Sequence, residues 1–317
     1  MIYNTDNVAW DRRGVLFSAA SNADQTELNA IINGASPVDA GVQDDIMADE
    51  HHADLPGHDY TWVAEEEALD FVVGPVLEEI SRRSTISGRS YPFSVDLSSI
   101  RYRKSSTLVY EFCLLTTLIN KSSAIFDEAA VLFEYISAEA TRLYLGGHAK
   151  SVRCGWPRRH NEPASFKGMI AQINAMCGEF IWAPRFAYAD VKDPVNVKDY
   201  GLDFVAWKCF QDQRLGQLMI LGQCACGENW QDKLGDLSAK KLNEYIQPVS
   251  FVEFTPAFAV PRHIPGHLVI AKLSTEVGIV LDRARLSLLC ERNSNHINSM
   301  FRSQLLDINA QMVKALK

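Results

Sequence analysis

One stretch constrains this fold more than any other, because only residues 198–234 combine a buried-strand pattern with converging polar side chains. Gly201–Phe210 alternates as a strand, with Asp203 among the apolar residues of one face. The polar segment that follows ends at Gly216 and predicts a hairpin. Gln217–Ala225 then contains a continuous apolar run, which is typical of a central strand buried on both faces. The sequence therefore predicts a hairpin at the centre of a sheet, with polar groups at one end.

Three polar side chains lie where this hairpin leaves the sheet. Asp203 is on the first strand, Gln223 is at the exit of the second, and Lys233 follows in the first turn of a helix predicted to begin near Gln231. A carboxylate and a second oxygen suit a hard divalent cation, and a nearby lysine can orient water or neutralise phosphate charge. The pattern is compatible with a divalent-metal site. A solvated aspartate at a strand end is the alternative.

At these residues the chain resembles the PD-(D/E)XK nuclease superfamily, whose fold is restriction-endonuclease-like. The family has an aspartate, a hairpin, and then Glu-x-Lys or Gln-x-Lys, so Asp203 and Gln223 match its first two positions. Ala225 stands where the family has lysine. In divergent members that lysine moves to the following helix, which suits Lys233, and Lys208 on the Asp203 strand is the other substitute. The resemblance covers the hairpin and one helix before it.

The resemblance also implies a glutamate from the first helix of the core. Ile125–Leu145 has apolar residues at helical spacing and is followed by two glycines, and Glu134 flanks its apolar stripe. Glu134 is therefore expected to complete the metal site, and a solvated or arginine-paired glutamate is the alternative. Glu162 and Glu179, before and after the next predicted helix, are rivals for the same role.

The composition is that of a folded chain. Its 317 residues, 47% hydrophobic and 22% charged, suffice for two domains or for one large domain with additions. The most apolar stretch, Thr107–Ile119, is too short to cross a bilayer, and Met1–Arg13 has no apolar core, so neither a membrane protein nor a signal peptide is expected. Seven scattered cysteines indicate reduced thiols. These features predict a cytoplasmic protein.

The charge distribution bears on a nucleic-acid partner. A net charge of -8 opposes binding to phosphates, but the acidic excess gathers in the N-terminal part of the chain and basic residues cluster elsewhere. Each basic cluster is also compatible with an ion-paired surface. These clusters are Arg82-Arg83, Arg89, Arg101, Arg103-Lys104 and Arg158-Arg159-His160. Arg283 and Arg285 are further candidates for phosphate contact, with pairing to Asp282 or Glu291 as the alternative.

Outside the hairpin, apolar spacing predicts further elements. Alternation predicts one strand over Tyr91–Tyr102, and a short apolar run predicts another at Leu268–Ala271. Helical spacing predicts a terminal amphipathic helix over Ile297–Leu316. The chain is therefore predicted to be α/β, with a mostly helical N-terminal region, 1–120, and a restriction-endonuclease-like core with a C-terminal helical extension, 121–317.

The resemblance implies a metal-dependent nuclease whose core is a mixed sheet flanked by helices. Its reaction would be Mg²⁺- or Mn²⁺-dependent hydrolysis of phosphodiester bonds, with DNA as the expected nucleic acid, in microbial defence or DNA repair. Asp203, Gln223 and Glu134 would bind the metal, and Lys233 would act on the water or the phosphate.

Two alternatives to the nuclease remain open. Because Ala225 replaces the family lysine, the first is a catalytically inactive nucleic-acid-binding or scaffold subunit on the same fold, working with a partner protein or as a homo-oligomer. The second is a cysteine enzyme that pairs Cys224 or Cys226 with His263 or His267.

Overall fold

The computed structural model describes residues 13–38, 62–177 without 97, 182–184, 198–238 without 211, 213 and 215, then 242, 246–248, and 254–317 without 298. Helices and strands alternate irregularly along the chain, so the protein is α/β. No helix in these ranges is long and apolar enough to cross a membrane.

The helices are α1 (Arg13–Asn33), α2 (Trp62–Ser87), α3 (Val109–Leu118), α4 (Ala124–Leu145), α5 (Phe166–Cys177), α6 (His267–Val277), α7 (Arg283–Arg292) and α8 (Ser299–Leu316). The strands are β1 (Ala35–Pro37), β2 (Phe93–Val95), β3 (Ser99–Tyr102), β4 (Ala149–Arg153), β5 (Trp182–Pro184), β6 (Phe204–Lys208), β7 (Leu218–Cys224), β8 (Ile246–Pro248), β9 (Thr255–Ala259) and β10 (Ile279–Leu281).

The chain divides into two compact units. Unit 1 contains Met1–Leu118, His263–Ala271 and Arg283–Lys317, and unit 2 contains Ile119–Arg262 and Lys272–Asp282. The C-terminal helices α7 and α8 therefore belong with the N-terminal helices, and α6 contributes residues to both units. The three predicted metal ligands belong to unit 2, as does Lys233.

Unit 1 packs helices against a small antiparallel sheet of order β1-β3-β2. Helix α1 contacts α2 and β1, and α3 contacts α7 and α8. Helix α3 is nearly all buried, as expected from its apolar sequence. The core side chains are Ala23, Ala30, Val38, Val76, Ile80, Tyr91, Phe93, Ile100, Tyr110 and Leu114.

Two strand predictions were wrong. Tyr91–Tyr102 forms two strands, because a tight turn separates β2 from β3, and in that turn Asp96 N donates to Ser99 O at 2.8 Å. Apolar alternation continues on both sides of the turn and so hides it. Leu268–Ala271 lies inside helix α6, since a short apolar run carries no period that separates a helix from a strand.

Unit 2 is built on a mixed sheet of order β10-β9-β7-β6-β4. Strands β4, β6 and β7 are antiparallel neighbours, and β7, β9 and β10 are parallel. Strand β7 is buried at every position after Leu218, which agrees with its predicted central place. The core cluster on this sheet comprises Cys154, Phe166, Met169, Ile170, Ile173, Leu202, Val205, Trp207, Met219, Leu221 and Leu242.

Helix α4 covers strands β4, β6 and β7. Its first turn is capped by Ser123, whose hydroxyl accepts the N–H of Phe126 at 3.2 Å. It ends at Gly146, whose φ of 80° is in the region that favours glycine. The helix is therefore capped at both ends. Glu134 lies in its middle and is buried against the sheet.

Strands β6 and β7 approach each other closely because Gly222 has no side chain. Phe204 lies directly opposite in the ladder, and a Cβ at position 222 would be 1.9 Å from the Phe204 ring. This pair sets the register of the hairpin. It also brings Asp203, the residue before Phe204, next to the end of β7.

Candidate functional site

Asp203 lies where the pairing of β6 with β7 ends. Strand β6 begins one residue later than Asp203, so this side chain is at the strand end and outside the ladder. Its Oδ2 accepts the backbone N–H of Cys224 at 2.6 Å, in place of a backbone carbonyl. Its own carbonyl accepts from Cys154 N at 2.6 Å and from Gly155 N at 3.0 Å. Asp203 is therefore held by the ends of both neighbouring strands.

Glu134 reaches the same place from helix α4. Its carboxylate lies directly against Gly155, where a Cβ would be 2.0 Å from Glu134 Oε2. Because the Gly155 N–H donates to the Asp203 carbonyl, Glu134 and Asp203 both contact this glycine. Arg153, the last residue of β4, places its Nε 2.7 Å from Glu134 Oε2. The structure thus brings two of the predicted site residues together, with an arginine beside them.

Burial and like charge raise the pKa of both carboxyl groups. Burial, followed by the negative charge of Asp203, raises the pKa of Glu134 to about 9. Burial, followed by the negative charge of Asp199, raises the pKa of Asp203 to about 7, against the opposing effects of hydrogen bonding and of Lys233 and Arg153. The carboxylates therefore repel one another where water screens them little.

Arg153 pairs with both Glu134 and Glu162, and the other contacts of these two glutamates differ. Its side chain is fully buried, and its Nη1 lies 2.6 Å from Glu162 Oε2. Glu162 also accepts the hydroxyl of Tyr135 at 2.7 Å and the N–H of Arg159 at 2.8 Å. Glu162 therefore balances Arg153 from the other side, and Glu134 is the glutamate that contacts Gly155 with Asp203. Glu179 lies outside the described residues.

Gln223 is engaged by the segment that follows Lys233. Its Oε1 accepts the N–H of Leu237 at 3.3 Å, and its Nε2 lies 3.5 Å from Asp236 Oδ2. The side chain is almost fully buried. Both ends of its amide therefore connect the end of β7 to this segment.

The two candidate lysines have different positions. Lys233 does not begin an α-helix as predicted but ends a short 3₁₀ turn, Trp230–Lys233, where it is exposed. Its positive charge still acts on Asp203, lowering the pKa of that carboxyl. Lys208 is at the opposite end of β6, and its Nζ donates to Leu145 O at 2.8 Å. Of the two, Lys233 is the lysine associated with the carboxylates.

The environment of Cys224 disfavours a thiolate. Burial, followed by the negative charges of Asp203 and Glu134, raises the pKa of the Cys224 thiol well above its ordinary range. A nucleophilic cysteine needs a lowered pKa. The predicted partner His263 belongs to unit 1, where burial and nearby arginines lower its pKa. These surroundings do not favour a cysteine nucleophile at Cys224.

The sequence did not identify Arg153, Gly155 or Asp199 as site residues. Asp199 accepts the N–H of Trp156 at 3.2 Å and that of Gly201 at 3.0 Å, and its charge acts on both carboxyl groups. A polar residue just before the Asp203 strand was a usable signal for Asp199. Arg153 gave none, because neither its spacing from Glu134 on α4 nor its spacing from Glu162 in the following loop is a recognisable pattern.

The donor set fits only some metals. Among the residues with described positions, no three Asp, Glu, His or Cys side chains are arranged to hold a metal ion. Mg²⁺ is commonly bound by one or two carboxylates, with waters and substrate phosphates completing its coordination. Glu134 and Asp203 supply two carboxylates, the number that such an ion uses, and they do not supply the four ligands of a closed zinc site.

Comparisons with known protein families, with characterised proteins and with solved structures give no match for this chain. Its function has to be inferred from the geometry of the site itself.

Proposed function

We propose that this protein is a metal-dependent nuclease that hydrolyses phosphodiester bonds, with DNA as the expected substrate. The observation that carries the proposal is a pair of buried acidic residues at Gly155, which meets Glu134 through its carboxylate and Asp203 through its backbone carbonyl. Two like charges buried together destabilise a fold unless a cation or a proton offsets them. Carboxyl groups perturbed in this way are typical of functional sites.

The architecture of unit 2 supports the same proposal. Its mixed sheet has the β6–β7 hairpin at its centre, and helix α4 packs on that hairpin. A restriction-endonuclease-like core would use the strand end of the hairpin and a glutamate of this helix. Asp203 and Glu134 occupy these two positions.

Each residue then has a definite task. Asp203 and Glu134 would hold Mg²⁺ or Mn²⁺, and the bound metal would supply Lewis acidity and a more acidic water. Arg153 orients the Glu134 carboxylate through their 2.7 Å ion pair. Lys233, exposed near Asp203, neutralises charge that develops on the phosphate. Gln223 acts through its contact with Leu237, which holds the segment next to Lys233.

The test is cleavage of labelled DNA and RNA, single- and double-stranded, in Mg²⁺, in Mn²⁺ and in EDTA. Metal-dependent cleavage is expected, with loss of activity in Asp203→Asn and Glu134→Gln and reduced activity in Lys233→Ala. Asp232→Asn, which changes an exposed carboxylate of the same unit, is the matched control and should cleave normally. Absence of metal-dependent cleavage by the wild type, or full activity in a correctly folded Asp203→Asn protein, would refute the proposal.

A second candidate is a nucleic-acid-binding subunit that no longer cuts. Two observations favour it: Ala225 is fully buried at the position of the family lysine, and the Gln223 oxygen already accepts the Leu237 N–H. In that case the wild type would bind oligonucleotides without cleaving them in either metal, and Asp203→Asn would bind equally well.

A further inference from the structure

An exposed tryptophan follows directly after the glycine of the candidate site. Trp156 is 45% exposed, whereas Gly155 before it contacts both Glu134 and Asp203. Trp207 and Trp230 of the same unit are buried. A large aromatic side chain on the surface beside perturbed carboxylates is a candidate for contact with a ligand.

Hydrogen bonds on both sides fix the backbone at Trp156. Its N–H donates to Asp199 Oδ2 at 3.2 Å. Arg158 donates from Nη1 to Gly155 O and from Nη2 to Lys198 O, each at 3.0 Å. These hydrogen bonds attach the loop to residues 198 and 199, which precede β6. Because this backbone is already ordered, the loop loses little conformational entropy when a ligand binds to it.

A lysine lies over the indole, and two exposed basic residues follow Trp156 in its own loop. Lys198 Nζ lies 6.0 Å from the centre of the Trp156 ring, and Arg159 and His160 are exposed in the same loop. Of the acids described in this region, Asp199 accepts two backbone N–H groups and Glu162 pairs with Arg153. We call Trp156, Arg159, His160 and Lys198 the Trp156 platform.

We propose that the Trp156 platform binds single-stranded nucleic acid. A base would stack on the indole, and Lys198 and Arg159 would contact the phosphates on either side. Stacking on a protein side chain requires a base that is not paired and stacked in a duplex, so the platform selects an unpaired segment. The inference deepens the proposed nuclease function, because it specifies the form of substrate that lies beside Asp203 and Glu134.

Binding of a short fluorescein-labelled oligodeoxythymidine, measured by anisotropy in EDTA, tests the platform apart from hydrolysis. Trp156→Ala should weaken binding by about 5- to 100-fold, the usual range for loss of one stacked base. Trp156→Phe should retain most of the affinity. Phe210→Ala is the matched control, because Phe210 is an exposed aromatic residue beyond the other end of β6 and should leave binding unchanged. Lys198→Gln should reduce the dependence of binding on salt.

Three outcomes would overturn the platform. The wild type does not bind the oligonucleotide, or Trp156→Ala leaves binding unchanged in a folded protein, or Trp156→Ala weakens binding of a duplex of the same length as much as binding of the single strand. The nuclease proposal is tested by a different measurement, which is cleavage in Mg²⁺ or Mn²⁺. Trp156-dependent binding without cleavage in Mg²⁺ or Mn²⁺ would leave the platform standing and remove the nuclease. Metal-dependent cleavage, together with binding that Trp156→Ala leaves unchanged, would support the nuclease and overturn the platform.

Discussion

Asp203 has two roles that a single substitution can separate. Its carboxylate accepts the Cys224 N–H at 2.6 Å, which completes the end of the strand ladder. Its negative charge raises the pKa of Glu134. An asparagine keeps an acceptor oxygen of the same shape and removes the charge, so it preserves the first role and eliminates the second.

Asp203→Asn should therefore change how the stability of the protein depends on pH. The pKa of Asp203 is raised from 3.8 to about 7, so its protonated form favours the folded state. The stability that this group contributes is fully present below about pH 4 and is lost as the pH rises through about 7. Relative to wild type, Asp203→Asn should gain on the order of 2–4 kcal/mol between about pH 5 and pH 8, at about 1.4 kcal/mol per pKa unit. Urea denaturation in EDTA at several pH values measures this.

The control for this experiment is Asp232→Asn, which removes an exposed carboxylate from the same unit. It should follow the wild-type pH profile. If Asp203→Asn follows that profile as well, the Asp203 carboxyl is not perturbed by burial and like charge, and the main support for a functional site is lost.

At the scale of elements, the turn after β4 joins the parts of the site. Gly155 in this turn contacts the Glu134 carboxylate from α4 and donates to the Asp203 carbonyl beside β6. Only a residue without a side chain allows the helix and the strand end to come this close. The site therefore depends on packing between α4 and this turn.

Gly155→Ala should push Glu134 away and destabilise unit 2 by about 2–3 kcal/mol, within the range seen for overpacked cores. The added Cβ would lie 2.0 Å from Glu134 Oε2 and 2.5 Å from its Cδ. In a Glu134→Ala background the same change should cost clearly less, because the clashing carboxylate is gone. Denaturation of the four proteins of this cycle gives the coupling energy.

Gly147→Ala is the matched control, since a Cβ there meets nothing within 4 Å. It should change stability by less than about 0.5 kcal/mol. Additive effects of Gly155→Ala and Glu134→Ala would contradict the close contact between the two residues.

At the scale of the whole chain, buried charges connect segments of unit 1 that are far apart in sequence. Arg83 from α2 is fully buried and donates to Asp24 of α1 at 2.7 Å and to Glu79 at 2.9 Å. Arg283 from α7 donates to the same Asp24 oxygen at 2.7 Å. Burial alone would raise the pKa of Asp24, but Arg283 and Arg83 lower it to about 2. The network thus ties the first and last parts of the chain into one unit.

Arg83→Met should destabilise unit 1 by about 3–5 kcal/mol, because the buried carboxylates of Asp24 and Glu79 would each lose one of the arginines that offset their charge. The loss should persist at high salt, since ions do not screen a buried pair. Hydrogen exchange of the α1 and α2 amides, combined with urea denaturation, measures it. Arg101→Met, at an exposed position on β3, should lie within about 0.5 kcal/mol of wild type. Equal effects of the two substitutions would show that the network does not stabilise unit 1.

Much of the candidate site was visible in the sequence. The Gly201–Phe210 and Gln217–Ala225 patterns predicted the hairpin, and Asp203 was expected at its end. The stripe of α4 identified Glu134 as a candidate. Local spacing carried this information, because periodicity determines which residues of one element face the same side.

The rest depended on contacts between segments that are distant along the chain. Nothing in local spacing distinguishes Glu134 from Glu162, since the choice follows from Arg153 lying between them. The engagement of Gln223 by Leu237 was equally hidden.

By itself, the sequence determined the central hairpin, helix α4 and the polar residues Asp203 and Glu134, because backbone propensity and apolar periodicity act over a few neighbouring residues. Only the tertiary structure decided which of those residues meet. Gly155 contacts both Glu134 and Asp203, Arg158 bonds the Trp156 loop to Lys198, and Arg283 pairs with Asp24 near the start of unit 1. Each of these is a contact made by long-range packing, which local sequence patterns do not encode.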